Sequence, residues 1–355
     1  MRVLYDYQAF LQRQGGVSRY FAELIRALQQ LPGFQAEVPV FFSDNEYLSA
    51  RKTLFTRRHF KGKERLMAVL NQRPALRALS GSFDVFHPTY YRPYFLSGLR
   101  RPFVLTVHDM IHEVFGHDHV RDDGTAAAKR LLCRRASRII AVSQSTKNDL
   151  CRLLDVPEEK VSVIHHATSL TYSGGPRVHE KPYLLFVGAR SGYKNFTRFL
   201  EAAAGVLLRQ GVEVVCVGGG SFSQDEIALI RSLHLSGRVT LRDAGSPGAL
   251  ANLYHFAQAL CYPSLYEGFG FPLLEAFACE CPVAAGRTSS LPEVAGDAAA
   301  WFEPESVSSI RAAIERILTD DTERRRLIAS GTERVRAFSW NESARKTLEV
   351  YQQAL

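Results

Sequence analysis

The chain has 355 residues, is 46% hydrophobic, and carries 44 Lys and Arg against 36 Asp and Glu, a formal net charge of +8. That composition excludes a disordered chain, and the length allows two or three domains of about 150 residues each. The charge excess is local: nine basic residues and one acid lie between Arg51 and Ser80 and the rest balances at 35 against 35, which excludes a uniformly basic coat for nucleic acid.

Taken in chain order, short apolar runs alternate with amphipathic helical patterns. The first half predicts strands at Arg2–Tyr7, Ala36–Phe42, Asp84–Pro88, Phe103–Asp109, Arg138–Ser143 and Val161–His165. Between them, Ser18–Leu31 places Tyr20, Leu24, Leu28 and Leu31 on one helical face, and Gln144–Leu154 begins beside Ser143 and Ser145, good N-cap residues. A polar Gly/Ser/Pro-bearing stretch then lacks periodicity and reads as a linker. The pattern restarts with strands at Tyr183–Val187, Val212–Val217, Val239–Asp243, Leu260–Pro263, Pro282–Ala285 and Ala299–Glu303, followed by helices near Val307–Thr319, Thr322–Phe338 and Asn341–Ala354.

Strand–helix alternation of this kind makes parallel sheets covered by helices. The expected architecture is α/β: an amino-terminal Rossmann-like domain over 1–168, a linker over 169–181, and a second Rossmann-like domain over 182–340. The helix over 341–355 is expected to pack back on the first domain. Open parallel sheets bind ligands beyond the carboxyl ends of their strands, so two such sheets facing each other would place a ligand cleft between the domains.

Six cysteines are too few for a disulfide-dense scaffold. Cys279 and Cys281 lack a second pair at zinc-finger spacing, and no metal is expected there. The chain enters a strand at once, leaving no room for a signal-peptide core, and no uncharged apolar run nears the roughly 20 residues needed to span a bilayer. A cytoplasmic, reduced protein is expected.

Four motifs sit at predicted strand ends. In "SLYEGFGFPLLEAFACECPVAA", Glu267 and Glu275 are spaced Glu-x7-Glu, Gly268 and Gly270 make the backbone permissive, and Pro272 suits a first helical position. Glu275 would then lie in the first helical turn, where the dipole favours an anion, and the amides of such a loop suit phosphate or sugar hydroxyls. A plain strand–turn–helix joint with a helix-end acid fits the same residues. In "LLFVGARSGYKNF", Arg190 and Lys194 follow a strand, where a fork and a point charge can neutralise a diphosphate; two solvated loop charges are the simpler alternative. Gly15 and Gly16 stand between the first strand and helix, but not as G-x-G-x-x-G, so the dinucleotide fingerprint fails, and no P-loop exists elsewhere. His108 and Asp109 end an apolar strand; with Glu113 misplaced relative to H-E-x-x-H, zinc is not expected, and a satisfied structural histidine is the alternative.

In this order, with "RIIAVSQSTKNDL" and "SSLPEVAGDAA", these motifs resemble the retaining glycosyltransferases of family 4, which have the GT-B architecture of two Rossmann-like domains. The opening "GGVSRYFAEL" and "VGARSGYKNF" look most like the branch that builds bacterial surface polysaccharides such as the O-antigen of lipopolysaccharide, many of whose members use GDP-mannose. The resemblance implies that Gly15 and Gly16 lie near the donor diphosphate and that His108 touches the transferred sugar. It further implies that Arg190 and Lys194 hold the diphosphate, that Glu267 binds the donor sugar beside the backbone of Gly268, Phe269 and Gly270, and that Glu275 binds the ribose. Here the basic motif reads Gly-Ala-Arg where Gly-Arg-Leu is commoner, so Arg190 matches the family's register less closely than Lys194 does.

The expected reaction moves a hexose, mannose by best guess, from a nucleotide-diphosphate sugar to a growing or lipid-linked glycan. Cations and helix N-termini would stabilise the leaving diphosphate. No cofactor is expected, since the nucleotide sugar is a substrate, and no nucleic-acid partner. The segment 51–80 interleaves apolar residues with its cations and suits an anionic membrane surface, as a peripheral protein on the inner face of the cell membrane would require. A nucleotide-sugar epimerase, a sugar phosphorylase, or a non-catalytic sugar-nucleotide-binding protein are the competing readings.

Overall fold

The computed structural model describes residues 1–48, 62–116, 123–190 and 192–355. It divides into two compact units, one of Met1–Val114, Asp122–His166 and Ser339–Leu355, the other of Phe115–Arg121 and Ala167–Phe338.

The first unit carries six parallel strands: β1 (Arg2–Tyr5), β2 (Gln35–Glu37), β3 (Val85–His87), β4 (Val104–Val107), β5 (Arg138–Ala141) and β6 (Val161–Val163). They form two ladders, β2-β1-β3 and β4-β5-β6, joined by a single parallel bridge between Phe86 and Phe103. Every residue of β3 and β4 is buried, as parallel strands covered on both faces must be. The helix Gly16–Leu28 buries Tyr20, Phe21, Leu24 and Leu28 against them. The terminal helix Trp340–Ala354 also packs here: the Tyr351 hydroxyl lies 2.8 Å from that of Tyr5 and 2.7 Å from His87 Nδ1. His87 Nε2 continues to Thr106 Oγ1 at 2.9 Å, so one buried polar chain links the C-terminal helix to β1, β3 and β4.

The strand expected over Ala36–Phe42 stops at Glu37. Beyond it, Asn71 of the helix Lys63–Ala78 replaces a strand neighbour. Its Oδ1 accepts the Phe41 and Phe42 amides at 2.8 and 3.1 Å, and its Nδ2 donates to the Phe42 carbonyl at 2.8 Å. One buried side chain thus satisfies backbone groups that a ladder would otherwise need.

The second unit holds β7 (Tyr183–Val187), β8 (Glu213–Val217), β9 (Val239–Arg242), β10 (Ala259–Tyr262), β11 (Val283–Gly286) and β12 (Ala299–Phe302) in one parallel sheet ordered β12-β11-β10-β7-β8-β9. Its core packs Phe186, Val214 and Cys216 of the sheet against Phe196, Phe199 and Ile310 of covering helices. The chain builds outward from β7 to β9, then returns to lay β10 on the other side of β7. Strand direction of travel reverses between β7 and β10, and that gap is the switch point where open α/β sheets hold ligands.

Candidate active site

Two exits meet at that switch point. Beyond β7 the turn Gly192–Lys194 leads to Asn195, whose left-handed backbone has φ 59°. Its Nδ2 donates to the carbonyls of Pro263, just past β10, at 3.0 Å and of Pro304, just past β12, at 2.6 Å. The Leu265 amide donates to the Tyr193 carbonyl at 2.7 Å. With its turn stapled in this way, Lys194 Nζ donates to Glu267 Oε1 at 2.6 Å and to the Tyr262 hydroxyl at 3.2 Å. Both partners of the ion pair are largely buried, at 13% and 9% side-chain exposure, so the charges lean on each other far more than a surface pair would. Burial, and then the neighbouring Glu267 carboxylate, hold the Tyr262 phenol well above its ordinary range.

The loop Gly268–Gly270 is fixed from β11's side by two serines. The Glu267 amide donates to Ser289 Oγ at 2.8 Å, and Ser290 Oγ donates to the carbonyls of Glu267 and Phe269 at 2.9 and 3.1 Å. Gly270 has φ 103°, and a Cβ there would stand 2.7 Å from Leu291 Cδ2, so this position admits only glycine. The helix that follows is Phe271–Ala278, which puts Pro272 second and Glu275 in the second turn. The expected first-turn contact of Glu275 with the helix dipole is therefore replaced by a side-chain donor: the Tyr254 hydroxyl donates to Glu275 Oε2 at 2.7 Å, deep in the core.

Arg190 is placed otherwise than expected. Its side chain is 2% exposed and makes an ion pair with Glu226, Nε to Oε1 at 2.8 Å. Nη1 donates to the Gly218 carbonyl at 2.6 Å, and Nη2 to those of Gly220 and Ser221 at 2.8 and 3.0 Å. Here the guanidinium is committed to Glu226 and to backbone carbonyls, and does not stand as the free diphosphate fork the sequence suggested. A cavity of about 440 Å³ adjoins it, lined by Ala189, Thr197, Ser223 and Asp225 among others.

In the first unit, Gly15 caps the helix Gly16–Leu28 and its carbonyl accepts from Ser18 Oγ at 3.0 Å. In the second turn of that helix, Tyr20 and Phe21 press edge-on against the His108 ring at 5.1 and 5.8 Å, which brings the glycine helix and His108 together. The His108 backbone amide donates to the Tyr91 hydroxyl at 3.1 Å, and its buried side-chain Nε2 has no hydrogen-bond partner among the described residues. Burial pushes its pKa down to about 4, so the ring is neutral at pH 7. Glu113 is taken up by the fully buried Lys129, at 2.8 Å. Among the described residues, no three His, Cys, Asp or Glu side chains gather so as to hold a metal ion.

Tyr262, Tyr254, Ser289, Ser290 and Glu226 are the participants that sequence reasoning missed. The serines open the noted "SSLPEVAGDAA" stretch, and "SQDE" before the helix Gln224–Ser232 is a capping-box signature that could have drawn attention to Glu226.

Comparison with known proteins matches residues 14–172 to the model of Glycosyltransferase Family 4 and residues 174–334 to that of the glycosyl transferases group 1. The O-antigen chain mannosyltransferase B of Escherichia coli is 26% identical over 99% of both chains. The O-antigen chain mannosyltransferase RfbU of Salmonella typhimurium is 29% identical over 62% of each. Among solved structures, sucrose-phosphate synthase from Thermosynechococcus elongatus superposes with a TM-score of 0.76 at 19% identity, over 99% of this chain and 98% of that one. With its two parallel α/β units and family models tiling nearly its whole length, the chain belongs to the family 4 glycosyltransferases of the GT-B fold and resembles their mannosyltransferase members.

Proposed function

We propose that the protein transfers a hexose, mannose first among candidates, from a nucleoside-diphosphate sugar to a surface glycan, with retention of anomeric configuration and without a metal ion. The observation that carries this reading is the Lys194–Glu267 pair at the β7/β10 switch point, directly before the glycine loop. An ammonium has three donors; two serve Glu267 and Tyr262, and the third is available to a phosphate oxygen. Charge that develops on the departing diphosphate is stabilised by that cation in a low-dielectric setting. Glu267 then stands beside the sugar, Glu275 takes the ribose, and the amides of Gly268–Gly270 line the donor. Neutral His108, whose Nε2 has no partner among the described residues, is suited to a sugar hydroxyl. Arg190 is left out of the diphosphate contacts.

The acceptor side is proposed to rest on an anionic membrane carrying a lipid-linked acceptor. On the helix Lys63–Ala78, Leu66, Val69 and Leu76 are exposed, Val69 by 65%, among exposed Arg65, Arg73 and Arg77. Such a face suits a headgroup boundary. Lys63 does not join it, being buried on Asp44. Residues 51–61, which hold five more of the segment's cations, lie outside the described residues. Among the described residues no helix is long and apolar enough to cross a membrane.

The test is incubation with GDP-mannose, UDP-glucose and their relatives plus a lipid-linked acceptor, with the new anomeric configuration read by proton NMR. Mannosyl transfer in excess EDTA with an α-product from an α-donor is expected; an inverted product, or no transfer from any nucleotide sugar, refutes the reading. Sedimentation with vesicles containing phosphatidylglycerol tests the membrane face, and binding that ignores salt or lipid charge removes that part.

A further inference from the structure

We infer that Arg190 is a positioning residue, which with Glu226 clamps the Gly218–Ser221 loop in the shape that receives the donor nucleotide. The inference rests on the donor-binding reading of the second unit. Gly218, Gly219 and Gly220 follow β8 in succession with φ of 88°, 74° and 70°. Three consecutive glycines in the left-handed region form the most freely rotating kind of backbone when nothing holds them. Here one guanidinium holds them. The carbonyls of Gly218, Gly220 and Ser221 converge on its two terminal nitrogens at 2.6–3.0 Å, and the Phe222 ring lies 4.7 Å from Cζ. A Cβ on Gly219 would stand 2.7 Å from Nη1, so the loop is moulded to the cation.

Glu226 anchors the clamp from the other side. Its Oε1 takes Arg190 Nε, and its Oε2 accepts the Ser223 amide at 2.7 Å while Ser223 Oγ accepts the Glu226 amide at 3.1 Å. The loop is thus tied at its start by the arginine and at its end by a capping box. The carbonyls gathered on Arg190 fix the orientation of the peptide groups in this loop. This loop leaves β8, the immediate neighbour of β7, whose own exit presents Lys194. Ordering the loop in advance removes a conformational cost from nucleotide binding and leaves the reacting end at Lys194 and Glu267 untouched.

The test compares Arg190→Gln, Arg190→Lys and Glu226→Gln, with the last keeping an amide oxygen for the helix cap and guarding against loss of the fold. Two measurements apply. The first is hydrogen exchange of the Gly219–Phe222 amides without nucleotide, which is expected to quicken in all three variants. The second is GDP and UDP affinity with GDP-mannose kinetics. Affinity for the nucleotide that wild type binds is expected to fall about tenfold, the equivalent of ordering one residue, with KM rising and kcat unchanged. Lysine, a single point charge, is expected not to rescue. The double variant Arg190→Gln/Glu226→Gln is expected to be no worse than either single one. Unchanged exchange in Arg190→Gln and Glu226→Gln overturns the clamp. Full affinity in Glu226→Gln combined with rescue by Arg190→Lys also overturns it and returns Arg190 to direct phosphate contact. Wild type that binds neither GDP nor UDP refutes the donor-site reading instead, and the exchange measurement still decides the clamp.

Discussion

Lys194 and Glu267 come from exits of adjacent strands, β7 and β10, and join at 2.6 Å with under 15% of either side chain exposed. Removing one member leaves the other charge buried without its partner, which costs about 3 kcal/mol. Lys194→Met and Glu267→Gln are each expected to lower unfolding free energy in urea by about that much. The double variant Lys194→Met/Glu267→Leu is expected to recover at least half, because no orphaned charge remains. Transfer is expected to fall in every one of these variants, by about 100- to 1000-fold in kcat for Lys194→Met, the loss typical of a deleted transition-state donor. Equal stability of single and double variants would show that the pair is uncoupled.

Tyr254 donates to Glu275 Oε2 at 2.7 Å, and both are buried. Tyr254→Phe removes a hydrogen bond to a charged group, worth about 1.5–3 kcal/mol, while keeping the ring in place. A loss of that size in chemical denaturation is expected, together with a higher donor KM and little change in kcat, if Glu275 holds the ribose as proposed. A drop in kcat at constant KM would move Glu275 to the reacting centre.

Legibility of this fold and site followed burial. The strands of the second unit read plainly because parallel strands covered on both faces are continuous apolar runs, as in Tyr183–Val187. Lys194 and Glu267 stood out because charges at the ends of such runs have no packing reason to be there. Tyr262 and Tyr254 did not, since a tyrosine within an apolar stretch looks like core until its hydroxyl is seen to meet a charged group, Lys194 for one and Glu275 for the other. The surroundings of Arg190 were not legible for a related reason. Its partners are a glutamate 36 residues away and four backbone carbonyls, and no side-chain pattern encodes a carbonyl. The shortened β2 has the same origin in Asn71, a helix residue acting on a segment 29 positions earlier.

Acid stability is expected to be governed by histidines buried as neutral rings. Burial pushes His87 down to about 3 and His108 to about 4, and holds His166 well below its ordinary value. Between the unfolded value near 6.5 and these lower values the unfolded chain binds more protons, so stability is complete above about pH 6.5 and falls as pH drops, by up to about 1.4 kcal/mol per pH unit per histidine. Asp6 has the opposite sign: burial raises its pKa, so its contribution weakens as pH rises through that raised value. The histidine part is isolated by difference. His87→Gln is expected to be less stable at pH 7, having lost the fit to Tyr351 and Thr106, but to show a shallower decline from pH 6.5 to 4.5 in urea titrations. Parallel declines would mean that His87 titrates alike in both states.

Gly331 tests how the helix carrying Glu275 is held. It lies in the helix Asp321–Val335 and is buried against Phe277; a Cβ there would stand 2.5 Å from Cδ1 and 3.1 Å from Cγ of that ring. Backbone strain plays no part, since helical alanine is intrinsically better than glycine by about 1 kcal/mol. On an exposed face Gly331→Ala would therefore stabilise. Here the methyl group must displace a ring packed in the core, and overpacking of this kind costs about 1–3 kcal/mol, which outweighs the propensity gain. Phe277 sits two residues after Glu275 in the helix Phe271–Ala278, so its displacement is passed to the carboxylate. Gly331→Ala is expected to lose about 1–2 kcal/mol in denaturation and to raise donor KM several-fold, with kcat nearly unchanged because Lys194 and Glu267 are fixed by other elements. Compensation by Phe277→Leu in the same chain, restoring both stability and KM, would trace the effect to this contact; a stabilised single variant would show that the two helices can part without cost.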